Sequence, residues 1–154
     1  MKYSISAMSR KIPLRHVTKT KITGGFLDIP LKAKAFYSPN GHYVVKKEES
    51  SGYNYVAILP EQGIREFLYK EFKNEGHVDD FLSKSDNLEA RIKQNGVHSL
   101  KIPENYLQHL HLEKNSKALI LMFDYLRLWN LKEFLEFDFK YEKEASEVAE
   151  EFGL

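Results

Sequence analysis

Residues 91–137 read RIKQNGVHSLKIPENYLQHLHLEKNSKALILMFDYLRLWNLKEFLEF, and this stretch decides the fold. The basic run Arg91–Gln94 predicts a strand, followed by a turn at Asn95-Gly96, a dipeptide that suits positive φ. A second strand, Ser99–Ile102, stops at Pro103, whose fixed φ and missing N–H end a ladder but suit the first turn of a helix. Tyr106, Leu107 and Leu110 fall at helical spacing, so Glu104–Leu110 predicts a short helix. Ala118–Phe123 predicts a buried strand. Asp124-Tyr125 is a tight connection, and Leu126–Trp129 a partner strand. Asn130, with Glu133 three residues on, has the spacing of a capping box and predicts a helix over Asn130–Phe137.

The same order of elements occurs earlier. Lys19–Gly25 is basic and ends in Thr23-Gly24-Gly25, Phe26–Ile29 is a short strand, and Pro30 stops it. Leu31–Phe36 is a helical turn. Tyr43–Lys47 and Tyr53–Leu59 pair as a hairpin across Glu48–Gly52, and Pro60-Glu61 opens a helix Glu61–Phe72. The pairs Ile29-Pro30 and Ile102-Pro103 lie 73 positions apart. The shared order predicts an internal duplication, about 17–72 and 88–137, whose strands interleave in one α+β barrel. Between the halves, Ile64, Phe67, Leu68 and Phe72 form one apolar helical stripe. Asn74-Glu75-Gly76 reads as a helix stop, Val78–Leu82 as a further helical turn, and Ser83–Asn87 as a polar loop. Tyr3 and Ile5 alternate with serines, as in an edge strand. Ile12-Pro13 echoes the other Ile-Pro pairs. Residues 138–154 are Glu-rich, with Ala145, Val148, Ala149 and Phe152 at i, i+3, i+4 and i+7, which predicts an acidic C-terminal helix.

At 154 residues, 42% apolar and 29% charged, the chain has the composition of a soluble globular domain able to bury a core. It has no cysteine, which excludes disulfides and thiolate metal sites and suits a cytoplasmic setting. No apolar run approaches the ~20 residues that span a bilayer. The N-terminal MKYSISAMSRKIPLRHV lacks the apolar core of a secretory signal. Net charge is only +1, yet residues 1–47 carry ten Lys/Arg against Asp28 alone, and residues 133–154 carry eight acids against Lys140 and Lys143. That asymmetry points to a polyanion-binding end and an acidic tail, with solvated faces, or charges neutralising each other within or between chains, as the bland alternative.

Two strand–turn–strand–Ile-Pro–helix–hairpin units at this spacing resemble MraZ proteins, bacterial regulators of the SpoVT/AbrB swapped-hairpin superfamily. The likeness covers roughly Val17–Phe137 as architecture. It is best at Tyr43–Leu59 with Pro60 and the following helix, at Leu112-Glu113-Lys114, and at Leu126-Arg127-Leu128-Trp129. The resemblance implies a swapped-hairpin barrel and a cytoplasmic, nucleoid-associated regulator of transcription. It also implies double-stranded DNA as partner and self-association into a homo-oligomer or ring. The family carries Asp-x-x-x-Arg in each half. Here Phe26 and Ser99 stand at the Arg positions, and Ile22 and Asn95 at the Asp positions, so neither motif is present. Asn130 replaces the Asp that follows the family's Trp.

What remains for DNA is the basic strands. Lys19, Lys21, Arg91, Lys93 and Lys101, with His98 in the turn, are the candidate DNA-binding residues. Lys19 and Lys21 share a strand face, as do Arg91 and Lys93. Contacts from such positions go mostly to phosphate. Exposed strand positions are also commonly Lys for a structural reason, since charge discourages edge pairing. Nothing points to catalysis, a cofactor or a metal. His109 and His111 are two apart, whereas a helical metal site needs i, i+4. No nucleophile-elbow, Walker or dinucleotide motif occurs, and the adjacent acids Glu48-Glu49 and Asp79-Asp80 are not spaced as a catalytic pair. Tyr53, Tyr55, Tyr125 and Trp129 suit either base stacking or a cross-strand core. The apolar excess of Leu119–Leu131 points to a subunit interface. The alternative to a DNA-binding regulator is an oligomeric interaction protein that kept the barrel and lost DNA. A pseudo-barrel module of the plant transcription-factor kind fits less well, because of the duplication.

Overall fold

The computed structural model describes residues 16–140. The expected edge strand near Tyr3, the Ile12-Pro13 echo and the helical stripe Ala145–Phe152 lie outside them. The chain is α+β, built on one nine-stranded, wholly antiparallel sheet. The strands are β1 (Val17–Thr23), β2 (Phe26–Asp28), β3 (His42–Ser50), β4 (Tyr53–Pro60), β5 (Asp86–Glu89), β6 (Arg91–Ile92), β7 (His98–Lys101), β8 (Ser116–Met122) and β9 (Leu126–Asn130). Their order is β5-β3-β4-β9-β8-β1-β2-β7-β6. The two ends of that order, β5 and β6, are consecutive in the chain and separated only by Ala90. The sheet therefore curls into a nearly closed barrel, and Ala90 N–H donates to Gly41 O at 2.7 Å beside the seam.

Local chemistry sets the corners. Gly24 and Gly25 both have positive φ (60° and 85°) and join Thr23 to its partner Phe26 in a two-residue turn, which demands that conformation twice. Pro30 and Pro103 have nearly identical extended geometry and end β2 and β7. A 3-10 helix, Leu31–Phe36, follows the first, and helix α3 (Glu104–His109) follows the second. Asn130 caps the helix over residues 131–140, here α4, with its side-chain oxygen accepting from Glu133 N–H at 3.1 Å.

Several sequence expectations are corrected. The helix after Pro60 is α1, Ile64–Phe72; it starts at Ile64 because β4 runs through Pro60 and Gly63 takes a left-handed φ of 75°. Asn74 does not stop that helix. Lys73 does, in the left-handed region, and Asn74 instead caps α2 (Glu75–Ser83) by accepting from His77 N–H. The expected loop Ser83–Asn87 contains the start of β5, which pairs with β3 through Val45↔Asp86 to His42↔Glu89. The strand expected over Arg91–Gln94 is only Arg91–Ile92, since Lys93 already turns back to accept from Gly96 N–H.

Three apolar clusters result. The barrel interior holds Ile22, Leu27, Ile29, Tyr43, Val45, Val56, Leu100, Ile120 and Leu128, closed by Tyr106 and Leu107 of α3 and by Leu110, which caps its C-terminal end. On the outside, α1 and α2 cover Val44, Ala57 and Leu59. Also outside, Phe134 and Phe137 of α4 cover Tyr55, Leu119, Leu121 and Trp129. This last cluster corrects the reading of Leu119–Leu131 as an interface: the chain's own helix buries the excess. It likewise removes Tyr55 and Trp129 from any stacking surface, for both are buried and their rings stack on each other at 5.3 Å. Among the described residues, no helix is long and apolar enough to cross a membrane.

Candidate nucleic-acid interface

The helices cover the outer face of β3, β4, β9 and part of β8, and the groove over β1, β2 and β6 is lined by strand side chains. Register decides what it shows. Along β1, Ile22 points inward, while Lys19, Lys21 and Thr23 point out. Lys21 lies directly across from Lys117 of β8, and Lys19 across from Leu119. Across β2 and β7, Leu27 and Leu100 meet on the inside, while Phe26 pairs with Lys101 and Asp28 with Ser99. Beside them Arg91 of β6 pairs with Ser99.

The result is a groove of about 900 Å³ whose lining includes Lys19, Lys21, Lys117, Arg91, Lys93, Phe26 and Asp28. Lys101 sits at its side. Its ammonium lies 4.8 Å from the centre of the Phe26 ring, and the Arg91 guanidinium lies 4.5 Å from the same centre. Phe26 thus props two cations in place by cation–π attraction. Asp28 holds Lys93 at 2.6 Å. Partial burial opposes ionisation of Asp28, but the hydrogen bond from Lys93 and the charges of Lys93 and Arg91 prevail, so its carboxyl sits below the ordinary carboxylate range.

Among the described residues, Lys19, Lys21, Lys117, Arg91 and Lys101 have no ion-pair partner. Lys21 and Lys117 stand as like charges directly opposite on an exposed ladder, an arrangement that destabilises a sheet by itself. An anion between them reverses the sign.

Of the sequence-predicted residues, Lys19, Lys21, Arg91 and Lys93 come together in the groove and Lys101 adjoins it. His98 does not. It is the first residue of β7, not part of the turn, and is buried, with Nδ1 2.7 Å from the Tyr43 hydroxyl and its ring stacked on Tyr37 at 4.2 Å. Burial lowers its pKa. Tyr43 Oη also accepts from Ser38 N–H at 2.9 Å, so the hydroxyl ties the 38–43 corner to β7. Lys117 and Asp28 belong to the groove without a signal in the sequence, since only the β1–β8 and β2–β7 registers bring them there.

The other polar groups are structural. His109 Nε2 lies 2.9 Å from Glu48 O and 3.1 Å from Tyr55 O, and His111 pairs with Glu133. Among the described residues no group of His, Asp and Glu is arranged to hold a metal ion. Glu48 pairs with Lys46, and Asp79 and Asp80 pair with Arg65 and Lys84. No protein-family model matches the chain, and no curated protein matches it.

Proposed function

We propose that this chain is a DNA-binding regulator of the MraZ/AbrB kind that grips double-stranded DNA through its phosphates, with a binding rather than a catalytic role. The observation that carries the reading is the cross-strand pair Lys21–Lys117 within a groove lined by further unpaired cations. Readout is sequence-tolerant: of the four positions where the family has its Asp and Arg, Ile22 is in the core, Phe26 supports two cations, and Asn95 and Ser99 carry no charge. Nucleoid association in a cytoplasm follows from such binding.

The same reading takes the barrel as a swapped-hairpin duplication. Its support is the pairing of Leu27 with Leu100, 73 positions apart like the two Ile-Pro pairs, at the junction of β2 and β7. Two matched bonds flank that junction: Ile29 N–H to His98 O and Ile102 N–H to Gly25 O, both 2.9 Å. In this scheme the bent pair β5–β6 corresponds to β1.

The test is a mobility-shift titration of random duplex DNA over a salt series. Six cations meeting phosphate give a log–log salt slope of about −5. Lys21→Gln with Lys117→Gln should reduce its magnitude by roughly 2 and weaken all sequences alike. An unchanged slope removes this face as the binding surface. The second reading, an oligomeric interaction protein without DNA, is favoured by Leu135 and Phe139. They lie one turn apart on α4 and are 56% and 72% exposed. A pure monomer in sedimentation at about ten times micromolar concentration eliminates it.

A further inference from the structure

We infer that the groove takes an extended, acidic segment of a partner protein, which adds to β1 as an extra strand. The inference uses the groove's charge but does not rest on the DNA reading. One edge of β1 is fully paired, with residues 17–22 running against residues 116–121 of β8. The other edge is not. β2 pairs with β1 only at Ile22 and Thr23 and then follows β7. Over residues 17–21 that second edge has no strand beside it among the described residues.

The alternation of an antiparallel ladder says which groups this edge shows. Gly24 and Gly25 close a two-residue turn, so Thr23 and Phe26 exchange the first ladder bonds. Counting back by twos, Lys21, Lys19 and Val17 direct their backbone toward the open side, and Thr20 and Thr18 direct theirs toward β8. Two side-chain contacts stand where a neighbouring strand would be. Val17 C=O accepts from Lys32 Nζ at 3.1 Å, and Lys19 C=O accepts from the Thr18 hydroxyl at 3.4 Å. The groove runs along this edge. Thr20 alternates to the face opposite Lys19 and Lys21, yet all three line it, so the opening wraps around the strand. Asp28, Pro30 and Arg91 form its other wall.

Edge and charge together set the chemistry of the partner. Lys19 and Lys21 are exposed on one face, two residues apart, without ion-pair partners among the described residues. A strand laid beside them puts its own alternate side chains opposite, about 5 Å away. Asp or Glu at those positions pairs with both lysines. A second copy of β1 would set Lys against Lys, which is how a lysine-bearing edge discourages self-pairing. A phosphodiester backbone neutralises the cations but has no proton to give the Lys19 carbonyl. A peptide backbone donates and accepts in turn.

The test uses the full-length chain and no DNA, so its failure leaves the DNA reading to its own titration. The probe is a fluorescent peptide, Thr-Glu-Val-Glu-Val-Glu-Thr, followed by anisotropy at low salt. Two further peptides carry N-methyl groups on alternate backbone nitrogens, one in each frame. Both keep the charge, but one of them cannot donate to β1. The parent peptide should bind, and one methylated frame should bind about tenfold more weakly than the other. Amide exchange, read residue by residue by nuclear magnetic resonance, should slow about tenfold at Lys19 when the parent peptide is added and stay unchanged at Thr20. Lys19→Glu with Lys21→Glu, folded by circular dichroism, should lose the parent peptide. No binding, equal binding of the two methylated peptides, or unchanged exchange at Lys19 each overturns the inference. Equal binding of all three peptides would mean that the groove senses charge alone.

Discussion

Tyr43→Phe isolates a polar tie at the heart of the barrel. The ring is fully buried, and its hydroxyl makes two bonds, accepting from Ser38 N–H at 2.9 Å and hydrogen-bonding with His98 Nδ1 at 2.7 Å. The substitution keeps the ring and its packing, so no cavity beyond one oxygen appears. It strands two buried groups, the amide of Ser38 and a ring nitrogen of His98. Each unsatisfied buried group costs about 1–3 kcal/mol, partly offset because a phenol no longer needs desolvation, giving about 2–4 kcal/mol in all. For a domain of this size the urea m-value is about 2 kcal/mol/M, so the unfolding midpoint should drop by about 1–2 M with m unchanged. A drop below about 0.3 M at unchanged m refutes the reasoning, because it means that water already satisfies those groups. The ring's own ionisation does not intervene, as burial pushes the phenol up to about 12.

Stability should also decline as pH falls below about 6.5, where the unfolded chain protonates His98 and the folded chain, with its pKa lowered by burial, resists. His98→Asn should flatten that limb in urea melts recorded from pH 8 to 5. Phe137→Ala, removing a buried ring that contacts Trp129 at 5.0 Å, should destabilise the fold by about 3–5 kcal/mol in the same melts. Asp28→Asn should cost at most about 0.5 kcal/mol at neutral pH, since the pair with Lys93 is half exposed. The depressed carboxyl stabilises above its unfolded pKa of about 3.9, and that contribution is lost as pH falls through the folded value, so the difference from wild type should vanish in acid. The same variant should raise duplex affinity in a mobility-shift titration, because it removes a carboxylate from the groove.

The punctuation of the chain was legible: Pro30, Pro103, Gly24-Gly25, Asn95-Gly96 and the Asn130 cap all act as their local chemistry requires. The alternation of Lys19 and Lys21 against Ile22 likewise identified the outward face of β1. What escaped was long-range register. Asp86–Glu89 reads as polar loop because its side chains are largely exposed, and only pairing with β3 makes it a strand. His98 follows a turn signal and looks exposed, yet Tyr37 and Tyr43 close over it from 61 and 55 positions away. The apolar run Leu119–Leu131 gave no sign of its cover either, since Phe134 and Phe137 also read as part of an ordinary amphipathic helix.

The β1–β8 ladder has a kinetic consequence. Val17 pairs with Leu121, and Ile22 with Ser116, so the first strand waits about a hundred residues for its neighbour. At a synthesis rate of roughly 5–20 residues per second, that is several seconds in which β1 has only the short β2 beside it. The local β3–β4 hairpin is complete in the chain long before β8 is available to close the ladder with β1. Contacts this distant in sequence make for slow folding, in milliseconds to seconds rather than microseconds, and leave a nascent chain whose open strand edges are its main exposure to aggregation.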